Sequence, residues 1–182
     1  YNVVVANVTE PSNFFHLLRR QLAWPFRKPL IVMSPKSLLR HPKVMSPISE
    51  FTKGGFREIL ADDFATPGKT KRVLLCSGKI YYDLKEEQLK SSRKDVAIVR
   101  IEQLFPFPET QLDDELARFK KAEVFWIQEE PANMGYWAFV LRTYLNTPMK
   151  LISRKPSASP ATGYHKLHDE EQKDIINKAF DI

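Results

Sequence analysis

Cysteine, histidine and long apolar runs are scarce in this chain. A lone cysteine, Cys76, among 182 residues excludes an internal disulfide framework and fits a reducing compartment. Four scattered histidines offer no structural zinc spacing. No apolar run approaches the roughly 20 residues that span a bilayer, so no membrane role is expected. Tyr1 opens directly on Val3-Val4-Val5 without a basic flank or a cleavage site, so no signal peptide is read. The first residue is not Met, and the chain is expected to be a segment of a longer one. Long blocks of like charge are also missing. The net charge is +6, with 28 basic residues dispersed among 22 acidic ones, which reads as a solvated surface. No recognition motif accompanies it, so no nucleic-acid partner is expected.

What is present is alternation. Two apolar strands, Asn2 to Ala6 and Leu30 to Met33, frame a helix from about Pro11 to Trp24. Thr9 or Ser12 is placed to cap that helix, and Phe14, Phe15, Leu17, Leu18 and Leu22 to form its apolar side. This βαβ arm, residues 1–35, is too small to stand alone and needs a sheet to join. Residues 36–69, rich in Pro and Gly, read as an interdomain linker with some short helix. From 70 to 182 the pattern is regular. Strands are expected at 72–76, 96–101, 123–128 and 149–153. Helices are expected at about 81–93, from Pro108 through Phe119, at 134–145 and at 168–180. Such alternation specifies an α/β fold: a doubly wound, mainly parallel sheet preceded by a partial βαβ arm.

The strand Phe125-Trp126-Ile127-Gln128 ends in Glu129, Glu130 and Pro131, delivering charge to its carboxyl tip, where open α/β sheets gather ligands and partners. Glu129 and Glu130 could act as an acid–base pair or meet a cation or a partner's arginine. They could equally be carboxylates favoured by the positive end of a following helix capped by Asn133. Ser77-Gly78-Lys79 sits at a strand-to-helix turn, yet Ile80 stands where a phosphate loop needs Ser or Thr, so Gly78 reads as a turn residue. His16 could be a ligand or proton carrier, or pack at the edge of an apolar face. His165 and His168 flank a helix start, and Cys76 reads as a small buried hydrophobe. Arg100-Ile101-Glu102-Gln103 is followed by Leu104-Phe105-Pro106-Phe107-Pro108, a stiff aromatic segment suited either to an interface or to covering the core.

Taken together, Ser34-Pro35-Lys36-Ser37-Leu38-Leu39-Arg40-His41-Pro42, Cys76-Ser77-Gly78-Lys79-Ile80-Tyr81-Tyr82-Asp83-Leu84, Asp95 through Leu104, Gln128-Glu129-Glu130-Pro131 and Ser157-Ala158-Ser159-Pro160 resemble one family nearly end to end. It is the thiamine-diphosphate-dependent E1 component of the 2-oxoglutarate dehydrogenase complex, and Phe14 to Gln21 extends the match to the first helix. The resemblance implies oxidative decarboxylation of 2-oxoglutarate and succinyl transfer to the lipoyl group of the E2 dihydrolipoyl succinyltransferase, by a homodimer using thiamine diphosphate and Mg2+. It also implies that residues 1–35 end a pyrimidine-binding domain and that 70–182 form a transketolase-like C-terminal domain. The cofactor motifs lie upstream, so no catalytic residue is expected here and the fragment alone is expected to be inactive.

Members of this family with an acyl-CoA effector site imply Arg20 and Gln103 as effector-binding positions, although Glu109 and Thr110 stand where basic residues are expected. Glu129, Glu130, Phe105 and Phe107 are the implied interface or supporting residues. The alternatives are a free-standing CoA- or nucleotide-binding module using Arg20, Lys36 and Lys79, or the related 2-oxoadipate enzyme. The compartment implied is the cytoplasm for a bacterial protein and the mitochondrial matrix for a eukaryotic one.

Overall fold

The computed structural model describes residues 2–182. The arm forms as expected, with β1 (Val4–Ala6) and β2 (Leu30–Val32) parallel and α1 (Pro11–Ala23) between them. Pro11 starts the helix, where its fixed φ and missing N–H cost nothing. Neither expected cap is used. Glu10 is the N-cap residue and makes no side-chain cap, while Thr9 and Ser12 give their hydroxyls to Glu102 and Glu50.

The buried face of α1 is also not the apolar one. Ser12, Asn13, His16 and Leu17 are buried, whereas Phe14, Phe15 and Leu18 are exposed and Leu22 is 80% exposed. The helix turns its polar side inward because the buried carboxylate of Glu102 and the backbone of residues 50–57 await it there.

The linker carries 3₁₀ turns at Lys36–Arg40 and Pro67–Lys69, a short helix α2 (Ile48–Thr52) and an edge strand β3 (Ile59–Leu60). Beyond it run β4 (Arg72–Cys76), α3 (Ile80–Lys90), β5 (Val96–Ile101), β6 (Gln103–Phe105), α4 (Glu109–Leu116), β7 (Glu123–Pro131), α5 (Trp137–Thr143), β8 (Met149–Arg154) and α6 (His165–Phe180). The larger sheet has the order β3-β5-β4-β7-β8, parallel except for β3.

Period-two alternation divides its core in two. Val73 and Leu75 of β4 face Leu112 and Leu116 of α4 and Val140 of α5. Leu74 and Cys76 face Ile80 and Leu84 of α3 and Ile175, Ala179 and Phe180 of α6. Helices on both faces confirm the doubly wound fold.

Besides β7, which runs on to Pro131, three elements depart from expectation. After Ile101 a single residue, Glu102, separates β5 from β6, and β6 leaves the larger sheet to pair antiparallel with β1. The smaller sheet thus runs β2-β1-β6, and the chain passes from one sheet to the other without a loop. Helix α5 begins at Trp137 rather than near Met134, because a turn with Gly135 at φ +68 precedes it. Helix α6 begins at His165, one turn earlier than expected, since nothing after Gly163 breaks it.

Candidate functional site

The strand order reverses direction between β4 and β7, and the crevice beyond their carboxyl ends is where such sheets receive ligands. Here the arm occupies it. Gly78, at φ +75, lies so close to the Asn7 side chain that a Cβ would stand 2.4 Å from its Nδ2. Asn7 is buried and hydrogen-bonded to the Tyr136 phenol, whose pKa burial and the Glu130 charge push up to about 12. Its backbone N–H donates to the Glu102 carbonyl at 2.9 Å. Glu129 pairs with Lys79 at 2.5 Å and accepts from Gln172 at 3.1 Å.

The helix-dipole account of these carboxylates is therefore corrected. Strand β7 continues through Pro131, so both lie within it, and α5 starts seven residues past Glu130 at Trp137. Asn133 is not a cap either. Its amide clamps the backbone of Ser157 at both the carbonyl (2.9 Å) and the N–H (3.0 Å). The N–H of Trp137 goes to Gln128 Oε1, which also accepts from Trp126 Nε1, while Gln128 Nε2 donates to the Pro131 and Met134 carbonyls.

At the joint between the sheets lies a buried polar cluster, of which the sequence reading picked out the segment Arg100-Ile101-Glu102-Gln103 but not its partners Thr9, Glu10 and Asn13. Glu102 is fully buried and accepts from the Thr9 N–H (2.8 Å), the Thr9 hydroxyl (2.5 Å) and Asn13 Nδ2 (3.1 Å). Arg100 pairs with Glu10 at 2.7 Å, donates to Thr9 Oγ1 and lies 4.0 Å over the Tyr81 ring. Burial pushes the Glu102 carboxyl above its ordinary range, while the nearby Arg100 charge and the donors from Thr9 and Asn13 hold it down. The signal for burial was Arg100 and Glu102 set at i and i+2 where an apolar strand ends.

Arg20 and Gln103 are brought together, with Arg20 Nη2 2.5 Å from Gln103 Oε1. The guanidinium is already engaged. It pairs with Glu58 at 2.7 Å and lies between the rings of Phe56 (4.2 Å) and Trp24 (4.8 Å). Burial lowers its pKa, against the raising effect of Glu58. Phe105 and Phe107 are half-buried and meet Phe139 edge-on at 6.3 Å.

His16 walls a polar cavity of about 610 Å3 shared with Glu50, Lys53 and Arg57. Its Nε2 lies 2.7 Å from the Glu50 carbonyl and its Nδ1 faces Arg19 Nη1 at 3.0 Å. A neutral ring protonated on Nε2 satisfies both contacts.

Among the described residues no serine, threonine or cysteine is hydrogen-bonded to a histidine. Ser77 gives its hydroxyl to the Ile101 carbonyl, and burial pushes the Cys76 thiol up to about 12. His165 pairs with Asp169 and His168 with Arg154. Among them, too, no group of three or more His, Cys, Asp or Glu could hold a metal ion, and Lys79 is engaged by Glu129. These residues do not fit a metal-anchored diphosphate cofactor.

Fold and site together define an α/β module with a partial second sheet, joined by buried charge and walling a cavity whose chemistry it does not complete. A family model described as 2-oxoglutarate dehydrogenase C-terminal matches residues 45–180. The chain is 44% identical over its whole length to the mitochondrial 2-oxoglutarate dehydrogenase of Caenorhabditis elegans, of which the match covers 19%. It is 43% identical over 99% of its length to the 2-oxoglutarate dehydrogenase E1 component of Cupriavidus necator, covering 20% of it. For the E1 component of Brucella anthropi the figures are 45%, 92% and 19%. The chain belongs to the 2-oxoglutarate dehydrogenase E1 family and corresponds to its C-terminal portion, spanning about a fifth of the length of the relatives it matches.

Proposed function

We propose that the chain works as the C-terminal part of a longer E1 polypeptide that decarboxylates 2-oxoglutarate and passes the succinyl unit to the lipoyl group of its E2 dihydrolipoyl succinyltransferase. The observation that carries this reading is identity of 43–45% to named E1 proteins along essentially the whole chain. Thiamine diphosphate and Mg2+ are assigned to the preceding polypeptide, since the residues described do not fit them. Residues 1–35 would complete the pyrimidine-binding domain, 36–69 link it, and 70–182 supply the transketolase-like domain and homodimer contacts.

The exposed apolar row of Phe14, Phe15, Leu18 and Leu22 supports this division, because these side chains leave apolar surface open to solvent on one helix. An acyl-CoA effector at Arg20 and Gln103 would have to displace Glu58. The free-standing module is disfavoured by the same pairing and by that of Lys79 with Glu129. No helix is long and apolar enough to cross a membrane among the described residues. The compartment proposed is the cytoplasm or the mitochondrial matrix, according to whether the source is bacterial or eukaryotic.

The test is a chimera in which this chain replaces the matching fifth of the Cupriavidus necator E1 component. It is expected to retain 2-oxoglutarate-dependent NADH formation in the reconstituted complex, while the chain alone shows none with thiamine diphosphate and Mg2+. Turnover by the chain alone, or a correctly assembled but inert chimera, would overturn the reading. In the same chimera Glu129→Gln with Glu130→Gln should weaken assembly more than turnover, read by sedimentation against kcat.

A further inference from the structure

The smaller sheet runs β2-β1-β6, so among the described residues β2 has a partner on one side only. Its ladder to β1 uses alternate residues. The Met33 N–H donates to the Ala6 carbonyl at 2.8 Å, and the Val4 N–H to the Pro29 carbonyl at 2.9 Å. The N–H and C=O groups of Leu30 and Val32 therefore point away from β1, toward an open edge. Soluble proteins ordinarily guard such an edge with charge, proline or a bulge. Strand β2 is Leu30-Ile31-Val32 and carries none of these.

Its faces are equally uncovered. Val32 shares an apolar groove of about 210 Å3 with Phe14, Met33, Leu38, Leu39 and Val44, which places α1 on the face of the sheet that carries Leu30 and Val32. Ile31 points from the opposite face and is 47% exposed. Parallel sheets are ordinarily covered on both faces. On α1 itself, Leu18 and Leu22 turn apolar surface outward, away from the buried Ser12, Asn13, His16 and Leu17.

We infer that the preceding stretch of the same polypeptide adds a strand parallel to β2 along this edge, and packs helices against Ile31 and against Leu18 and Leu22 of α1. The inference rests on the E1 reading, under which about four fifths of the protein lies outside this chain and enters at the arm.

A second copy of the chain does not meet the same need. A two-fold axis sets an edge strand against itself, antiparallel, and reaches one patch of surface. Here the edge, the Ile31 face and the outer side of α1 point in three directions. A parallel neighbour also requires a crossover connection, which a continuous polypeptide supplies.

The test compares amide hydrogen exchange, read by mass spectrometry, in this chain and in the assembled chimera with the Cupriavidus necator E1 component. The segment 30–33 is expected to exchange about tenfold more slowly in the chimera, with β4 and β5 unchanged. Val32→Pro is the second probe, because it deletes an outward N–H and spares the ladder to β1. In the chimera it should restore fast exchange over the segment, whereas Val32→Ala should not.

Equal exchange in the two proteins would overturn the inference. So would protection in the chain alone that rises with its concentration, which would give the edge to a second copy. Loss of catalysis is a separate outcome. An inert chimera with a protected β2 would sink the E1 activity and support the docking, and an active chimera with an open β2 would do the reverse.

Discussion

At the scale of single residues, the most constrained position is Gly78. An alanine there meets a left-handed backbone at φ +75 and the buried amide of Asn7, so Gly78→Ala should cost about 1–2 kcal/mol from the backbone alone. Urea unfolding would measure it, and Asn7→Gly in the same chain should recover the steric part only. Asp95 makes a different kind of prediction. The hydrogen bond from Arg93 holds its carboxyl below the ordinary range, with burial opposing it. A depressed acid stabilises the fold above its unfolded value of about 4, and that contribution is lost as pH falls through the folded value. Asp95→Asn should therefore lower stability at neutral pH and flatten its fall on the acid side, as thermal melts between pH 7 and 3 would show. Gly78 was legible as a turn residue in sequence. Its partner was not, because Asn7 lies on the other sheet and only folding brings the two together.

At the scale of elements, Gln128 determines how β7 gives way to α5. Gln128→Leu strips an acceptor from Trp126 and Trp137 and a donor from the Pro131 and Met134 carbonyls. A loss of about 2–4 kcal/mol is expected, with faster amide exchange over 132–137. Unchanged protection there would contradict that role. The strands β4 and β5 were legible because each is a short, largely apolar run between breakers. Strand β6 was not, since Gln103-Leu104-Phe105 offers three residues and no period. Helix α1 was legible in extent and misleading in orientation. Its apolar row marks a surface left exposed in this chain, whereas its inward face was chosen by hydrogen bonds to Glu102 and to residues 50–57 that no periodicity reveals.

At the scale of the whole molecule, the two sheets share more than a boundary. Glu102 and Arg100 belong to one chain segment, Thr9, Glu10 and Asn13 to the other, and every pairing across them is buried or half-buried. Separating the sheets would break this whole network of hydrogen bonds and ion pairs at once. The chain should therefore unfold in one cooperative step, with helix circular dichroism and the fluorescence of buried Trp126 changing together. Two resolved transitions would show that the arm melts independently. The family was readable from long motifs, several of which coincide with the turns and joints described above.

The single-residue passage from β5 to β6 has a mechanical consequence. Proteins that flex between lobes generally do so at a few loop residues that absorb rotation. Here Glu102, the one candidate pivot, is itself anchored by three hydrogen bonds. A displacement of α1 would therefore be passed to the central strands as a load along a taut strand, making the arm a lever rigidly mounted on the larger sheet.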